Sequence, residues 1–279
     1  MKCNLSGIPS VMAFALGAIV VLPSLAFSET APPMSGGYTN VIPIPVDDPT
    51  TKAIAGALFK PQGPGPFPAV VYMVGCDGFA DPSEQVLARI TVDHLLAKGV
   101  ATLIVDPFTP RNEPEGVCAK LTKDKDTVVQ YLTRGGNDAV AALKVVKAMP
   151  DIDPNRVFLQ GYSYGAVASL FAVDTKFPTH DSDIAGLIAY YPYCYDNVDP
   201  SVPTLALIGE KDDWAPAALC QKVTGEPNFE VGVFPNSYHA FAEPRGKPVD
   251  LLGHRLAYNA KMALDAQQRA DAFMDAHMK

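Results

Sequence analysis

The sequence predicts an α/β protein whose mainly parallel central sheet is covered by helices on both faces. Short apolar runs typical of buried strands alternate along the chain with longer segments of helical periodicity, and such alternation is typical of a parallel sheet. The chain has 279 residues, and one large α/β domain can reach about 250 residues without splitting. Because no repeat, low-complexity tract or linker marks a second domain, we expect a single domain over residues 27–279.

The expected elements begin with two strands, at 38–46 and 51–59, which Asp47-Asp48-Pro49 would join into a hairpin. Further strands are expected at 68–74, 100–105, 156–160, 184–193, 203–209 and 229–234. Helices are expected at 83–97, at 137–149, directly after Ser163, and at 260–278. The last of these has Ala266, Ala270, Phe273 and Met274 at helical spacing.

Ser163 lies where a buried strand has to turn sharply into a helix. The motif Gly161-Tyr162-Ser163-Tyr164-Gly165 stands between the apolar run 156–160 and the small-residue run 166–171. A strained strand-to-helix corner brings two backbones close together, so a Cβ at either glycine position would clash. This context is typical of a nucleophile elbow, in which the serine hydroxyl projects clear of the sheet.

A nucleophilic serine needs a base to take its proton and an acid to orient that base. The strand expected at 203–209 is followed by Glu210-Lys211-Asp212-Asp213, which places a carboxylate at the carboxyl end of a strand. We predict Asp212 as the acid, with its neighbour Asp213 as the alternative. A solvated acidic turn is the non-functional interpretation of both.

His239 is the predicted base. It follows the strand expected at 229–234, which gives the chain order Ser, Asp, His that is typical of α/β-hydrolases. His254 is the one alternative downstream of the acid, and it precedes a long helical segment where a capping or surface role is favoured. The other three histidines lie in an early helix, in a polar loop and in the last turn of the chain, at His94, His180 and His277.

Acyl transfer also needs backbone N–H donors aimed at the developing oxyanion. One expected donor is the N–H of Tyr164, the residue after the nucleophile. The second is expected from the glycine-rich loop Gly75-Cys76-Asp77-Gly78-Phe79 after the first central strand, where the Cys76 N–H could point inward. A tight turn without a catalytic role is the other interpretation of that loop.

Taken together, these segments resemble the dienelactone hydrolase family of α/β-hydrolases. The resemblance rests on the elbow, on 74–78, on Asp106-Pro107-Phe108, on Gly209-Glu210-Lys211-Asp212 and on Ser237-Tyr238-His239-Ala240-Phe241. It covers roughly residues 40–279, and it implies the α/β-hydrolase fold and hydrolysis of small esters or lactones without a metal or organic cofactor. Dienelactone hydrolase itself has cysteine at the elbow where this chain has Ser163, so the resemblance implies a serine esterase-like relative.

The N-terminal segment predicts export. Lys2 is followed by the apolar run 11–22, and Ser24 and Ala26 are the small residues expected before a cleavage site after residue 26. Residues 1–26 therefore read as a signal peptide, and the run is too short for a membrane anchor. We expect a secreted or periplasmic protein.

Export gives the cysteines a structural interpretation. Four remain after cleavage, an even number in an oxidising compartment, and three pairings are possible. Because each pair would follow two consecutive strands at one sheet edge, Cys76–Cys118 and Cys194–Cys220 are the favoured disulfides. No Cys-x-x-Cys spacing supports the alternative of a zinc site.

Three side chains are candidates for substrate binding. Trp214 beside the acid and Phe241 beside the base could line an apolar pocket, and Arg111 could bind a substrate carboxylate through its planar guanidinium. Packing roles are the alternative for the two aromatic residues, and a surface position for Arg111. If Arg111 binds a carboxylate, its replacement should raise KM for acidic esters alone.

The formal charge of −8 gives no electrostatic reason to bind nucleic acid or an anionic membrane. A small-molecule ester or lactone is the expected partner. Two other functions remain open: an exported binding protein that keeps the fold without turnover, and a peptidase, although no added propeller or long cap domain is visible to select peptides.

Overall fold

A mixed but mainly parallel sheet lies at the centre of the fold. The computed structural model describes residues 31–223 and 228–278, so the predicted signal peptide lies outside the described residues. Within them, eight strands form this sheet in the order β1-β2-β4-β3-β5-β6-β7-β8. The strands are β1 (Val41–Pro45), β2 (Ala53–Phe59), β3 (Phe67–Met73), β4 (Ala101–Asp106), β5 (Ile152–Tyr162), β6 (Gly186–Tyr190), β7 (Thr204–Gly209) and β8 (Phe229–Phe234).

The first two strands form the expected antiparallel hairpin, and β2 also pairs antiparallel with β4. Every later neighbour in the sheet, from β4 through β8, is parallel. Parallel strands need crossover connections, and the intervening helices supply them. All loops that follow the parallel strands therefore meet at one edge of the sheet, as the α/β-hydrolase fold requires.

Helices cover both faces of the sheet, and two apolar cores result. The helices are α1 (Pro82–Ala97), α2 (Lys125–Lys147), α3 (Tyr164–Val173), α4 (Ala217–Gln221) and α5 (Ala260–His277). Buried residues of α1 and α5 pack on one face, whereas those of α2, α3 and α4 pack on the other. This two-faced covering explains why the central strands β4, β6 and β7 are buried along their whole length.

Helix α2 begins twelve residues before the start that the sequence analysis expects. Asp124 caps it by accepting a hydrogen bond from the Thr127 N–H, and the helix continues through Gly135 and Gly136. Those glycines let α3 approach closely, since a Cβ on Gly135 would lie 2.5 Å from the Tyr164 hydroxyl oxygen. Close helix packing thus retains two residues that are poor helix formers on their own.

A second, two-stranded sheet lies between β8 and α5. Its strands β9 (Val249–Leu251) and β10 (His254–Leu256) are antiparallel, and neither is among the strands expected from the sequence. Leu256 of β10 forms a bridge with His239, so this small sheet supports the loop after β8. Among the described residues, no helix is both long and apolar enough to cross a membrane.

Candidate active site

The strained corner predicted at Ser163 is present between β5 and α3. Ser163 has φ +49° and ψ −114°, a region that residues other than glycine seldom adopt. A Cβ on Gly161 would lie 2.3 Å from the Gly165 carbonyl oxygen, and one on Gly165 would lie 2.2 Å from the Met73 carbonyl oxygen. Both glycines are therefore required by backbone contact, and the corner they permit lifts the Ser163 side chain above the sheet edge.

Ser163, His239 and Asp212 form one hydrogen-bonded chain. The Ser163 Oγ lies 2.9 Å from His239 Nε2, and His239 Nδ1 lies 2.8 Å from Asp212 Oδ2. Both His239 and Asp212 are buried. The carboxylate can hold the proton on Nδ1 and leave Nε2 free to accept one from the serine hydroxyl.

The loops after β7 and β8 are fixed to each other by backbone contacts. The Lys211 N–H donates to the Ser237 carbonyl at 2.8 Å, and a Cβ on Gly209 would lie 2.4 Å from the same oxygen. Asp212 Oδ1 in turn accepts from the N–H groups of Trp214 and Ala215 at 3.0 and 2.7 Å. These bonds leave Asp212 Oδ2 directed at His239.

The two alternatives that the sequence left open, Asp213 and His254, face each other instead. His254 Nδ1 lies 3.4 Å from Asp213 Oδ1, and the His254 ring stacks on Trp214 with centroids 4.8 Å apart. Asp213 is thus turned away from His239, and His254 lies in β10 rather than at a helix cap. Trp214 separates the two His–Asp pairs, since its ring also lies 5.2 Å from that of His239.

A small cavity opens beside Ser163 and His239. Its volume is about 310 Å³ when the part open to solvent is counted. Trp214 lines it as predicted. Phe241 does not, because its ring is fully buried against Tyr191 and Phe234. The predicted role of Phe241 in substrate binding is therefore replaced by a role in the core.

Arg111 also departs from the prediction. Its Nη1 and Nη2 atoms donate to the two carboxylate oxygens of Asp138, each at 2.8 Å, and its Nε donates to Asp48 at 3.1 Å. The side chain is buried and borders a different cavity, next to Glu113 and Arg134. Because two carboxylates already occupy the guanidinium, Arg111 cannot meet a substrate carboxylate; it is a buried structural ion pair.

We expect Arg111→Met to lower the free energy of unfolding by about 3–5 kcal/mol, because it leaves the buried Asp138 carboxylate without its partner. Denaturant unfolding measures this loss. The matched control is Arg89→Met, whose exposed ion pair with Asp93 should be worth less than about 1 kcal/mol. A selective rise of KM for acidic esters in a normally stable Arg111→Met protein would restore the original prediction.

The loop after β3 carries the predicted oxyanion donor Cys76. A disulfide joins Cys76 to Cys118, and a second joins Cys194 to Cys220, which are the favoured pairings. The Cys76 carbonyl accepts from the Val117 N–H at 2.6 Å, so the segment around residue 117 supports this loop from outside. Both Cys76 and Cys118 line the cavity. Tyr164, the other predicted donor, begins α3 with its side chain buried and its hydroxyl donating to the Tyr131 carbonyl.

A group of carboxylates around the cavity is not among the residues predicted from the sequence. Asp77, Glu84 and Glu243 line it. One signal was available for Glu84, which shares the buried face of α1 with apolar residues at helical spacing. No comparable signal marked Glu243, since the chain around it is a loop of no regular period.

Clustered carboxylates of this kind are able to bind a metal ion. Oxygen atoms of Asp77, Asp81 and Glu243 lie within 4.8 Å of one another. However, Arg245 Nη2 lies among them, at 3.4, 3.1 and 2.6 Å respectively. The guanidinium takes the position that a cation would need, so these residues do not fit a metal site.

Comparison with protein families decides the relationship. Residues 54–278 match the model of the dienelactone hydrolase family. The chain belongs to this family. It is therefore a hydrolase of the dienelactone hydrolase type, and its substrate is a small molecule. A comparison with curated proteins finds no matching sequence.

Solved structures of dienelactone hydrolases and esterases share the fold. Dienelactone hydrolase from Anabaena variabilis has 18% identity and a TM-score of 0.59, over 84% of this chain and 96% of its own. The dienelactone hydrolase-like promiscuous phosphotriesterase P91 from metagenomic libraries has 17% identity and a TM-score of 0.61, over 85% of this chain and 98% of its own. A thermophilic esterase from Thermogutta terrifontis, Est2, has 14% identity and a TM-score of 0.57, over 86% of this chain and 95% of its own.

Proposed function

We propose that this dienelactone hydrolase family member cleaves small carboxylic esters or lactones with Ser163 as nucleophile, His239 as general base and Asp212 as the acid that orients it. The observation that carries the proposal is the continuous hydrogen-bonded chain from Ser163 Oγ through His239 to Asp212 Oδ2, with links of 2.9 and 2.8 Å, at the wall of a cavity. A serine in this arrangement is activated for attack on a carbonyl.

The reaction proceeds in two halves. In the first, Ser163 Oγ bonds to the carbonyl carbon while its proton passes to His239 Nε2; the alcohol then leaves with that proton and an acyl-serine remains. In the second, a water molecule gives a proton to His239 and bonds to the acyl carbon, and the Ser163 oxygen departs with the proton. Asp212 stabilises the imidazolium formed in each half.

The backbone N–H groups of Cys76 and Tyr164 are the proposed oxyanion donors. Cys76 lines the cavity at the loop after β3, and Tyr164 is the first residue of α3, where the helix dipole favours negative charge. Donors held in position before reaction lower the barrier without reorganisation. The Cys76–Cys118 disulfide supplies that rigidity for the first donor.

We therefore expect Cys118→Ser to lower kcat for a short-chain ester by about tenfold to a hundredfold, somewhat less than loss of one oxyanion donor. The control is Cys220→Ser, which opens the other disulfide; both variants should lose stability by roughly 2–5 kcal/mol. Kinetics measured well below both unfolding temperatures separates the two effects. Equal kcat values in the two variants would show that the first disulfide has no part in positioning Cys76.

The direct test of the function is to assay hydrolysis of p-nitrophenyl acetate and p-nitrophenyl dodecanoate and to label the protein with a fluorophosphonate. We expect rapid turnover of the acetate, slow turnover of the dodecanoate and a single adduct on Ser163. A non-catalytic binding protein has no reason to activate a serine, so a protein that neither reacts with the probe nor turns over either ester would refute the proposal.

We also propose that the protein is exported. Its two disulfides support this, because disulfides persist in oxidising compartments and are rare in the cytosol. The N-terminal sequence of protein recovered from the periplasm or medium should begin at Phe27. Recovery of the uncleaved chain in the cytosol would contradict export.

A further inference from the structure

The cavity beside Ser163 has an acidic side, formed by Asp77, Glu84 and Glu243. Among the described residues that line the cavity, none is a lysine or an arginine. The nearby cation, Arg245, is shared between Glu243, Asp77 and Asp81. One guanidinium is thus shared by three carboxylates, and Glu84 is not one of them.

Glu84 is the carboxyl group with the least compensation. It is buried, and its Oε1 accepts a hydrogen bond from the Tyr72 hydroxyl at 2.6 Å. Burial and the charge of Glu243 raise the pKa of Glu84 well above its usual range. Burial and the charge of Asp77 likewise raise the pKa of Glu243, to about 8. Both shifts reflect burial first and the charge of a neighbouring carboxylate second, and Arg245 only partly offsets that charge at Glu243.

Tyr191 provides an independent observation. It follows β6, is 98% buried, and lines the same cavity with its ring 5.1 Å from that of His239. Its hydroxyl has no hydrogen-bond partner among the described residues. Burial raises the pKa of Tyr191, and the charges of Glu243 and Glu84 raise it further, so the hydroxyl lies within their field. A buried hydroxyl without a partner is costly, and a bound ligand would relieve that cost.

We propose that Glu84, Glu243 and Tyr191 form a subsite for a protonated amine carried by the ester substrate. The proposal rests on the proposed esterase function and names its substrate class. An ammonium group would donate to a carboxylate and to the Tyr191 oxygen.

The test compares two esters of nearly the same shape, 2-(dimethylamino)ethyl acetate and 3-methylbutyl acetate, at pH 7. Dividing each kcat/KM by the rate of hydroxide hydrolysis removes the difference in intrinsic reactivity. A hydrogen bond to a charged group predicts a preference of about tenfold to a hundredfold for the cationic ester. Equal normalised values, or a preference for the neutral ester, would overturn the proposal.

Three variants locate the preference. Glu84→Gln, Glu243→Gln and Tyr191→Phe should each reduce the cationic-to-neutral ratio, and the two glutamate variants should reduce it most because they remove a charge. Glu230→Gln is the matched control, since Glu230 is exposed on β8 and should leave the ratio unchanged. If the preference for the cationic ester persists in both glutamate variants, these carboxylates do not cause it and the proposed subsite is refuted. If either variant does not fold, inhibition of the wild-type protein by 2-(dimethylamino)ethanol, compared with 3-methylbutan-1-ol, tests the same preference.

Calorimetry on Ser163→Ala separates this proposal from the esterase function. If Ser163→Ala binds the cationic ester more tightly than the neutral one and the wild-type protein hydrolyses neither ester, the subsite is supported and the esterase function is refuted. Hydrolysis of both esters by the wild type without any difference in binding to Ser163→Ala would refute the subsite and support the esterase.

Discussion

Ser163→Ala should lower kcat/KM for p-nitrophenyl acetate by about 10⁴- to 10⁶-fold, the loss seen when the nucleophile of a serine hydrolase is removed. Without the Oγ atom no acyl-serine can form, and His239 loses the hydroxyl that lies 2.9 Å from its Nε2. Steady-state kinetics with active-site titration of the wild type measures the effect. Fluorophosphonate labelling should disappear in the same variant.

Alanine at this position keeps the positive φ that the corner requires, and Ala240 has a similar φ of 56° elsewhere in the chain. Thermal unfolding should therefore show a folded Ser163→Ala protein. Ser201→Ala is the control, because Ser201 bonds to the Val173 carbonyl away from the cavity. Retention of wild-type activity by Ser163→Ala would mean that another group performs the attack.

Asp212→Asn should reduce kcat by about 10⁴-fold through a change of tautomer. The asparagine oxygen would keep the hydrogen bonds from the Trp214 and Ala215 N–H groups. Its NH₂ group would then face His239 Nδ1 and donate to it, which moves the imidazole proton to Nε2. In that tautomer His239 cannot accept the proton of Ser163.

Asp213, the residue next to Asp212, provides a closely matched control. Asp213→Asn makes the same chemical change one position later, on a side chain that is 57% exposed and faces His254. We expect its kcat to stay within about twofold of wild type, as for other surface substitutions. Comparable losses in the two variants would show that the acidic turn acts as a whole and that Asp212 has no special role.

Several features follow from local sequence alone. The alternation of buried runs and helical segments predicts the parallel sheet, and β8 has the bounds 229–234 that the sequence indicates. The glycines of the elbow are predictable because the clash they avoid lies within the same corner or with the adjacent strand β3. The family relationship is equally local, since it depends on short segments at the ends of successive strands, and the family model confirms it.

Arg111 and Phe241 illustrate where local reasoning stops. Each stands beside a sequence segment with a chemical role, yet Arg111 is bound by Asp48 and Asp138, residues 63 and 27 positions away, and Phe241 packs into the core. The early start of α2 could not be predicted for the same reason, because Gly135 lies within the helix through its contact with α3. The partners of Arg111 and Gly135 lie far from them in sequence.

The sequence by itself therefore determined the class of fold, the corner at Ser163 and the order of the groups along the chain, because strand and turn preferences act over a few residues. Only the tertiary structure decided which of Asp212 and Asp213 meets His239, and only it brought Glu84, Glu243 and Tyr191 to one cavity wall. The physical reason is that these groups lie on separate elements. Their positions are fixed by packing across the sheet edge, where one residue of register turns a side chain toward the site or away from it.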